Sequence, residues 1–272
     1  MANPFLSCVH THTHFCDGKD APETMVQKAL DLGFVSLGFS GHCPVGWDPW
    51  AMTNETLPQY IQEVRRLQKA YEGRLEILLG IEHDALAEPF ASGFDYSIES
   101  VHAIVMDGEV CYIDWDLEKV QATVQKHFGG DPYAYAKAYY TVCAEAYEKS
   151  TSQIAGHLDL LTKFNEKTPL LDESDPRYLR AALEAADAAI DRGLILEVNT
   201  GAISRGYRTT PYPGPAILKH LLERNATVVV TSDCHDAQNL DCHYDETAEL
   251  LRSLGFKYTL RLRKSGWEEI GL

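Results

Sequence analysis

A histidine-rich stretch near the start of the chain, SCVHTHTHFCDG at residues 7–18, contains residue types that bind transition metals. Imidazole and carboxylate groups are suitable ligands for Zn²⁺, Mn²⁺ or Fe²⁺. On an extended backbone His10 and His12 point to the same side, so both can bind one ion. His14 and Asp17 follow within the same stretch. Such a run could be an engineered tag, a loose metal-binding tract or one corner of an active site.

Further polar side chains follow short apolar segments, at the points where predicted strands end. These side chains are His42, Glu82, His102, His157, Asn199, Asp233 and His235. Taken singly, a histidine at a strand end is more often structural, and Asp233 could be the N-cap of a helix. Six of the seven predicted strands nevertheless deliver His, Asp or Glu at the same end, and the seventh delivers Asn. This coincidence favours one joint site over unrelated residues.

The elements that must position these residues are short apolar strands that alternate with amphipathic helices. Strands are predicted at Phe5–Val9, Phe34–Phe39, Leu75–Ile81, Tyr96–Ile104, Gln153–Ala155, Leu194–Val198 and Thr227–Thr231. Helices are predicted at Pro22–Leu32, Thr56–Tyr71, Tyr133–Lys149, Arg177–Asp191, Pro215–Glu223 and Asp245–Leu254. Several strands are rich in Val, Ile and Leu without alternation, as expected for strands that are buried on both faces.

This alternation predicts an α/β fold with a parallel sheet. Seven strands over 272 residues fit a closed or nearly closed barrel better than an open sheet. Active sites of parallel barrels lie at the carboxyl ends of the strands, where the polar residues are found. Tyr112–Asp116, after the turn signal Asp107-Gly108, is predicted as a hairpin outside the barrel, and residues 165–176 as a surface loop. Without an internal repeat or linker, residues 1–272 are predicted to form a single domain.

The candidate ligands exceed what one ion can use, which predicts two or three divalent metal ions that share bridging carboxylates. Such a geometry suits phosphoryl hydrolysis. Other catalytic patterns are weaker, since the chain has no GxSxG motif for a serine triad and no P-loop. Cys16, Cys43 and Cys234 are adjacent to candidate ligands, but a packing role is favoured over zinc binding for these thiols.

The composition argues against several classes of partner. With 24 basic and 40 acidic side chains the formal net charge is −16, and no basic run is present, which argues against nucleic acid and anionic membranes. No segment has the pattern of a signal peptide or approaches the roughly 18 apolar residues of a membrane helix. The seven cysteines form no CxxC pair, and their odd number suits reduced thiols. The sequence predicts a soluble cytoplasmic protein and carries no signal for an oligomeric state.

The ordered motifs resemble those of the PHP family, named for polymerase and histidinol phosphatase. The first family motif, HxHxxxxDG, matches the stretch that contains His10, His12 and Asp17-Gly18. Further matches are GHCP around His42, GIE ending at Glu82, SVH ending at His102, GHLDL with His157, and SDCH ending at His235. The matches run in order over most of the chain, so the motifs are specific as a set although each alone is weak.

The resemblance implies a distorted (β/α)7 barrel that holds a trinuclear metal site at the carboxyl ends of its strands. By position it assigns His10, His12, Glu82 and Asp233 to one ion, Asp17, His42 and His235 to a second, and Glu82, His102 and His157 to a third. His14 lies outside these groups and is expected to face the substrate. Gly41 is a departure, because many relatives have Asp there, and the loss of an Asp that supports a ligand imidazole would weaken metal binding at the second ion.

Within the family, the segments GHLDLLTKF and EVNTGAISRGYRTTPYP are similar to the histidinol-phosphatase branch. This similarity implies metal-dependent hydrolysis of a small phosphate monoester, L-histidinol phosphate, in histidine biosynthesis. Lys163, Arg205 and Arg208 are expected to meet the phosphate, and Asp233 or His235 to move protons. The alternatives are another PHP phosphoesterase acting on a sugar phosphate or nucleotide, an amidohydrolase-like metal hydrolase, and a metal-binding regulatory protein without turnover.

Overall fold

The computed structural model describes residues 5–89 and 93–272, in which short strands alternate with helices. Residues 1–4 and 90–92 lie outside the described residues. The strands are β1 (Ser7–Cys8), β2 (Ser36–Phe39), β3 (Glu76–Asp84), β4 (Tyr96–Ser100), β5 (Ala103–Met106), β6 (Glu109–Tyr112), β7 (Ile154–Ala155), β8 (Ile195–Asn199), β9 (Val228–Thr231), β10 (Tyr258–Arg263) and β11 (Gly266–Gly271). The helices are α1 (Pro22–Asp31), α2 (Leu57–Ala70), α3 (Leu117–Phe128), α4 (Pro132–Lys149), α5 (Pro176–Arg192), α6 (Gly201–Ser204), α7 (Pro215–Glu223) and α8 (Tyr244–Leu254).

Nine of these strands form one sheet in the order β1-β2-β3-β4-β7-β8-β9-β10-β11. Within this sheet, neighbouring strands from β1 to β10 pair in parallel, and β10 and β11 pair antiparallel. The predicted α/β fold with a parallel sheet is therefore confirmed. The seven predicted strands correspond to β1, β2, β3, β4, β7, β8 and β9, with ends that differ by a few residues.

Local sequence signals set the helix ends. Asp116, Asp131 and Asp175 precede α3, α4 and α5, and their carboxylates accept backbone N–H groups of the first turn. Gly129 and Gly193 end α3 and α5 in the left-handed conformation, with φ of 60° and 79°. These caps fix where each helix stops and the chain returns to the sheet.

The fourth predicted strand is shorter than expected, because its second half belongs to a hairpin. β4 ends at Ser100, so His102 follows the strand and is not part of it. β5 and β6 pair antiparallel across Asp107 and Gly108, whose φ values are 52° and 81°. Positive φ at both residues is typical of a two-residue hairpin turn. The predicted hairpin is present, but its second strand ends at Tyr112, where the prediction has it begin.

Helix α3 and strands β10 and β11 have no counterpart among the predicted elements. α3 buries only Val120, Thr123 and Val124, so its apolar stripe is too narrow to stand out in the sequence. β10 and β11 pair Arg261 with Glu268 across the strands. Charged side chains of this kind give the segment the composition of a surface loop.

The predictions of reduced thiols and of no membrane helix can be compared with the structure. All seven cysteines are unpaired thiols. Within residues 5–89 and 93–272, no helix combines the length and the apolar content that a bilayer crossing requires.

The chain directly after β1 also pairs with the chain directly after β9. Thr11 and Cys234 form a parallel bridge. His12 N donates to Cys234 O at 2.8 Å, and Cys234 N donates to His10 O at 3.2 Å. The carboxyl ends of two strands that lie far apart in the sheet order are thus brought together.

A tight contact lies in the core beneath these strand ends. The ring of Tyr96 packs against two glycines: a Cβ at Gly80 would approach it within 2.2 Å, and a Cβ at Gly38 within 2.3 Å. The Tyr96 hydroxyl donates to Val9 O at 2.5 Å and to Phe39 O at 3.2 Å. The two glycines therefore make room for a ring that ties β4 to the ends of β1 and β2.

We expect Gly80→Ala to lower the free energy of unfolding by about 1–3 kcal/mol, because the added methyl group overlaps the Tyr96 ring. Urea unfolding followed by circular dichroism measures this change. Gly271→Ala is the control, since no atom lies within 4 Å of a Cβ at Gly271, and its effect should stay within about 0.5 kcal/mol. Equal loss in both variants would contradict the proposed overlap.

Candidate metal centre and active site

The structure brings together all nine side chains that the sequence predicts as metal ligands. They are His10, His12, Asp17, His42, Glu82, His102, His157, Asp233 and His235. They form four overlapping groups, in each of which one ligand atom per residue lies within 4.8 Å of the others. Among the described residues, no cysteine belongs to any of these groups.

Glu82 is the centre of this cluster. Its Oε1 lies 3.1 Å from His157 Nε2 and 3.3 Å from His102 Nε2. Its Oε2 lies 2.9 Å from His42 Nδ1 and 3.3 Å from His10 Nε2. His12 Nε2 also lies 3.5 Å from Oε2, so one buried carboxylate faces five imidazoles, which suits a ligand that neighbouring ions would share.

Asp233 and Asp17 contribute the other two carboxylates. Asp233 Oδ1 lies 3.3 Å from His12 Nε2 and 3.7 Å from His10 Nε2. Asp17 lies 3.0 Å from His235, between Oδ2 and Nε2, and 3.5 Å from His12, between Oδ1 and Nδ1. His12 therefore faces both carboxylates, one with each ring nitrogen, and joins the predicted group around Asp17 as well as the one around Asp233.

Several buried ligand atoms of this cluster have no hydrogen-bond partner. They are His10 Nε2, His12 Nε2, Asp17 Oδ1 and Glu82 Oε2. Buried polar atoms are normally satisfied, because an unpaired one costs free energy. Imidazole nitrogens and carboxylate oxygens are the donors that Zn²⁺, Mn²⁺ and Fe²⁺ accept. The orphaned atoms and the donor set therefore fit two or three divalent metal ions, as the sequence predicts.

Two central residues, His12 and Glu82, have pKa shifts that suit metal binding, whereas the pKa values of His10 and His42 are raised, because nearby carboxylates outweigh their burial, and a bound cation would have to displace their protons. Burial, together with His235 and His42, lowers the pKa of His12 to about 3. Burial opposes the ionisation of Glu82, but nearby imidazoles such as His10 and His42 outweigh it and hold the pKa of Glu82 well below its usual range. At neutral pH His12 is a neutral ligand and Glu82 an ionised one, which are the forms that bind metals.

The carboxylate of Glu197 in β8 contacts two of the ligand residues, His10 and His157. Its Oε1 lies 2.5 Å from His10 Nδ1, and its Oε2 accepts the backbone N–H of His157 at 2.7 Å. Thr231 Oγ1 donates to the same carboxylate at 2.6 Å. Such a carboxylate fixes the tautomer and orientation of a ligand histidine. Glu197 is not among the residues predicted from the sequence, although an acid inside the apolar strand ILEVN is a signal for it.

Asp84 supports His102 in the same way and was also missed. Its Oδ2 lies 3.1 Å from His102 Nδ1 and accepts the His102 backbone N–H at 3.1 Å. Asp84 is two residues beyond Glu82 in β3, so both side chains lie on the same face of the strand. That spacing, in the segment GIEHD, is the signal that could have found it.

Gly41 is closely packed in this structure. A Cβ at Gly41 would lie 3.2 Å from Cys16 Sγ and 3.3 Å from Met52 Cε, so an Asp there would require these side chains to shift. Glu82 Oε2, itself a candidate ligand atom, lies 2.9 Å from His42 Nδ1. The expected weaker metal binding at the second ion stays a prediction.

The three cysteines near the cluster are protonated packing residues. Burial raises the pKa of Cys43 to about 12, and it also raises the pKa values of Cys16 and Cys234. A thiol binds metal as the thiolate, so these shifts oppose zinc binding. Their position agrees with the packing role favoured by the sequence.

Lys163 and Arg205, two of the predicted substrate contacts, line the same cavity as the metal-ligand cluster. The cavity has a volume of about 380 Å³. Arg205 donates to Asp233 O and to Asp233 Oδ2, each at 3.1 Å. Lys163 Nζ donates to Asp114 O at 2.7 Å and to Asp114 Oδ2 at 3.0 Å. Both cations are therefore held at fixed positions beside the ligands.

The other two predicted substrate contacts, Arg208 and His14, do not line this cavity. Arg208 is buried, and its guanidinium donates to Thr162 O at 3.1 Å and to Glu173 Oε1 at 3.2 Å. His14 is exposed, and its ring packs against Phe15 with centroids 4.7 Å apart. The contact of Arg208 with the phosphate and that of His14 with the substrate stay predictions.

A family model described as the PHP domain matches residues 9–201. The chain belongs to the PHP family. The predicted resemblance is confirmed by this match, which covers more than half of the chain and includes seven of the nine predicted metal ligands, from His10 to His157.

Relatives and a solved structure extend the PHP match over nearly the whole chain. A Deinococcus radiodurans protein named "Probable histidinol-phosphatase" is 31% identical, with 94% of this chain and 96% of that one aligned. The Bacillus subtilis histidinol-phosphatase is 27% identical over 88% of this chain and 97% of its own. The crystal structure of histidinol phosphate phosphatase from Lactococcus lactis, complexed with Zn, L-histidinol and phosphate, is similar with a TM-score of 0.73 at 19% identity, covering 96% of this chain and 98% of that one. At that identity the structural likeness establishes the fold.

Removal of divalent ions should destabilise the protein, because the buried carboxylates of Glu82 and Asp233 and the half-buried one of Asp17 then lose their counter-charges. We expect chelation followed by desalting to lower Tm by about 5–10 °C, the shift produced by losing a ligand present at roughly 100 times its Kd. Differential scanning calorimetry of chelated and Zn²⁺- or Mn²⁺-reloaded protein measures the difference. Identical melting curves in the two forms would contradict a metal centre.

Glu197→Gln should weaken metal binding by about 10–100-fold, because it keeps the volume but removes the charge that orients His10. Competition with a chromophoric chelator measures the affinity directly. Glu184→Gln on the exposed face of α5 is the matched control and should bind metal as the unmodified chain does. An unchanged affinity in the Glu197 variant would show that this carboxylate does not support the ligand.

Proposed function

We propose that this chain is a metal-dependent phosphatase that hydrolyses L-histidinol phosphate to L-histidinol and phosphate. The observation that carries this proposal is the presence of Lys163 and Arg205 in the same cavity as a cluster that fits two or three divalent ions. Metal ions and basic side chains together match the charge of a phosphate ester. The leaving group is inferred from the relatives named histidinol-phosphatase, which align with most of the chain.

Bound divalent cations would supply Lewis-acid charge that lowers the pKa of a water nucleophile and offsets the charge of the phosphate oxygens. The side chains proposed to hold them are His10, His12, Glu82 and Asp233 for one ion, Asp17, His42 and His235 for a second, and Glu82, His102 and His157 for a third.

The remaining steps use side chains of the cavity. Arg205 and Lys163 bind the phosphate oxygens and stabilise the charge that develops on them, and their ion pairs with Asp233 and Asp114 keep them in place. Asp233 or His235 takes up the proton that the attacking water releases, through an oxygen or nitrogen that does not hold an ion, and the leaving alkoxide oxygen of the substrate takes up a proton to give L-histidinol.

We also infer that the parallel strands close into a distorted (β/α)7 barrel and that residues 1–272 are one domain. The bridge between Thr11 and Cys234 supports closure, because it joins the chain just beyond β1 and just beyond β9, the first and the last of the seven predicted strands. The shared metal cluster supports a single domain, since its ligands come from residue 10 to residue 235.

The proposed substrate is a small phosphate ester and not a nucleic acid. The net charge of −16 and the cavity volume of about 380 Å³ support this choice. A biosynthetic phosphatase with seven unpaired thiols suits the cytoplasm.

The decisive test is phosphate release by Zn²⁺- or Mn²⁺-loaded protein from L-histidinol phosphate, fructose 1,6-bisphosphate and a nucleoside monophosphate. We expect a kcat/KM of about 10⁴ M⁻¹ s⁻¹ or more for L-histidinol phosphate, abolished by chelator, because that is the range of ordinary enzymes. Turnover of only the other two esters would keep the phosphatase and overturn the substrate.

A further inference from the structure

The cavity at the metal cluster has a second wall that the proposed chemistry does not use. This aromatic wall consists of Trp47, Trp50, Tyr112 and Trp115, and it faces the cavity together with Asp48. Trp47 and Trp50 come from the loop between β2 and α2, and Tyr112 and Trp115 from the end of β6 and the segment before α3. Two separate parts of the chain thus place four aromatic rings beside one phosphate site.

The four rings form a continuous series of edge-to-face contacts. Ring centroids lie 5.6 Å apart for Trp47 and Tyr112, 4.6 Å for Tyr112 and Trp115, and 6.4 Å for Trp115 and Trp50. The Tyr112 hydroxyl donates to Trp47 O at 2.8 Å, which ties the two segments together. The wall is therefore a preformed surface and not a set of independent side chains.

This surface is exposed in a way that packing does not explain. Trp50 is 57% exposed and Trp115 is 37% exposed, so large apolar rings face water at the mouth of the cavity. The indole N–H of Trp47 is buried and has no hydrogen-bond partner. Exposed aromatic patches beside a cleft mark binding sites, and an unpaired buried donor needs an acceptor.

The charge of the wall favours a cation. Asp48 Oδ1 accepts the backbone N–H of Trp50 at 2.9 Å, and no ion pair is recorded for it within residues 5–89 and 93–272. Asp114, the other acid of the cavity mouth, is paired with Lys163 at 3.0 Å, so these two charges offset each other. Lys119 Nζ lies 3.7 Å from the centroid of the Trp115 ring, so one aromatic face of the wall already binds a cation of the chain itself, and the Asp48 carboxylate is a further point of attraction for a cation.

We propose that the aromatic wall and Asp48 form the subsite for a cationic, ring-bearing leaving group. This inference rests on the proposed function: in L-histidinol phosphate an ammonium group and an imidazole ring lie a few bonds from the ester oxygen. The ammonium faces the Asp48 carboxylate, and the imidazole packs against the exposed rings of Trp50 and Trp115. The wall thus determines which phosphate ester is selected.

The test compares the unmodified enzyme with Asp48→Asn and Trp50→Ala, all loaded with the same metal. The substrates are L-histidinol phosphate, its analogue without the amino group, and propyl phosphate. We expect both variants to lower the ratio of kcat/KM for L-histidinol phosphate over propyl phosphate by about 10-fold or more, because each removes a contact to the leaving group. Asp48→Asn should affect the analogue without the amino group much less than L-histidinol phosphate.

Competitive inhibition supplies a readout that does not depend on turnover of L-histidinol phosphate. In both variants the Ki of L-histidinol should rise by about 10-fold or more relative to the Ki of inorganic phosphate. A structural defect would raise both Ki values together. Asp31→Asn at the end of α1 and Tyr258→Ala on β10 are matched controls, since both side chains are exposed and neither lines the cavity.

The outcomes separate this inference from the proposed function. Unchanged substrate ratios and unchanged Ki ratios in both variants would overturn the subsite while the phosphatase assignment stands. If the unmodified enzyme does not hydrolyse L-histidinol phosphate, the proposed function is overturned. Inhibition of propyl phosphate hydrolysis by L-histidinol that weakens in Asp48→Asn would still support the subsite, and absence of inhibition would overturn it too.

Discussion

The structure depends on the burial of one carboxylate, that of Glu82, at a point where five imidazoles meet. Removing a carboxylate from water is costly unless opposite charge or hydrogen bonds compensate. The compensating groups follow different strands, such as His10 after β1 and His157 after β7. The cluster can therefore form only after the parallel strands have assembled, and the donor set makes bound cations part of what stabilises them.

The same constraint links the core to the site. Metal ligands must be held to within a fraction of an ångström, so they need rigid elements behind them. Tyr96 provides one such element, because its hydroxyl binds the carbonyl of Val9 directly before His10. Glu197 in β8 provides another, because its carboxylate contacts Nδ1 of the His10 ring. Packing and polar support thus converge on the same ligand from different strands.

The sequence predicts the ligands better than their supports, and the reason is physical. His10, Glu82 and Asp233 end apolar strands, so their shared position at one end of a parallel sheet follows from local patterns. Glu197 and Asp84 orient ligand groups from distant or neighbouring strands, and their role becomes evident only when those ligands are in place.

The cations of the site illustrate the same limit. Arg208 and Arg205 are three residues apart in one predicted motif, yet the chain buries the first against Glu173 and leaves the second beside Asp233. That difference depends on where Glu173 lies in space, which spacing along the sequence does not encode. Helix α3 and the strands β10 and β11 are missed for a related reason, since few apolar residues mark them and their pairing with the rest of the fold defines them.

An acidic protein that binds an anionic ester involves no contradiction, because electrostatic effects at the site are local. Charges on the surface are screened beyond roughly 8 Å at physiological ionic strength, whereas groups in a cavity interact with little screening. Arg205 and Lys163 lie on the side of the metal cluster, and Asp48 lies with the aromatic rings. A zwitterionic ester, in which an ammonium group lies a few bonds from the phosphate, matches this arrangement of charge. Net charge therefore excludes partners that cover the whole surface, and the polarity within the cavity selects the substrate.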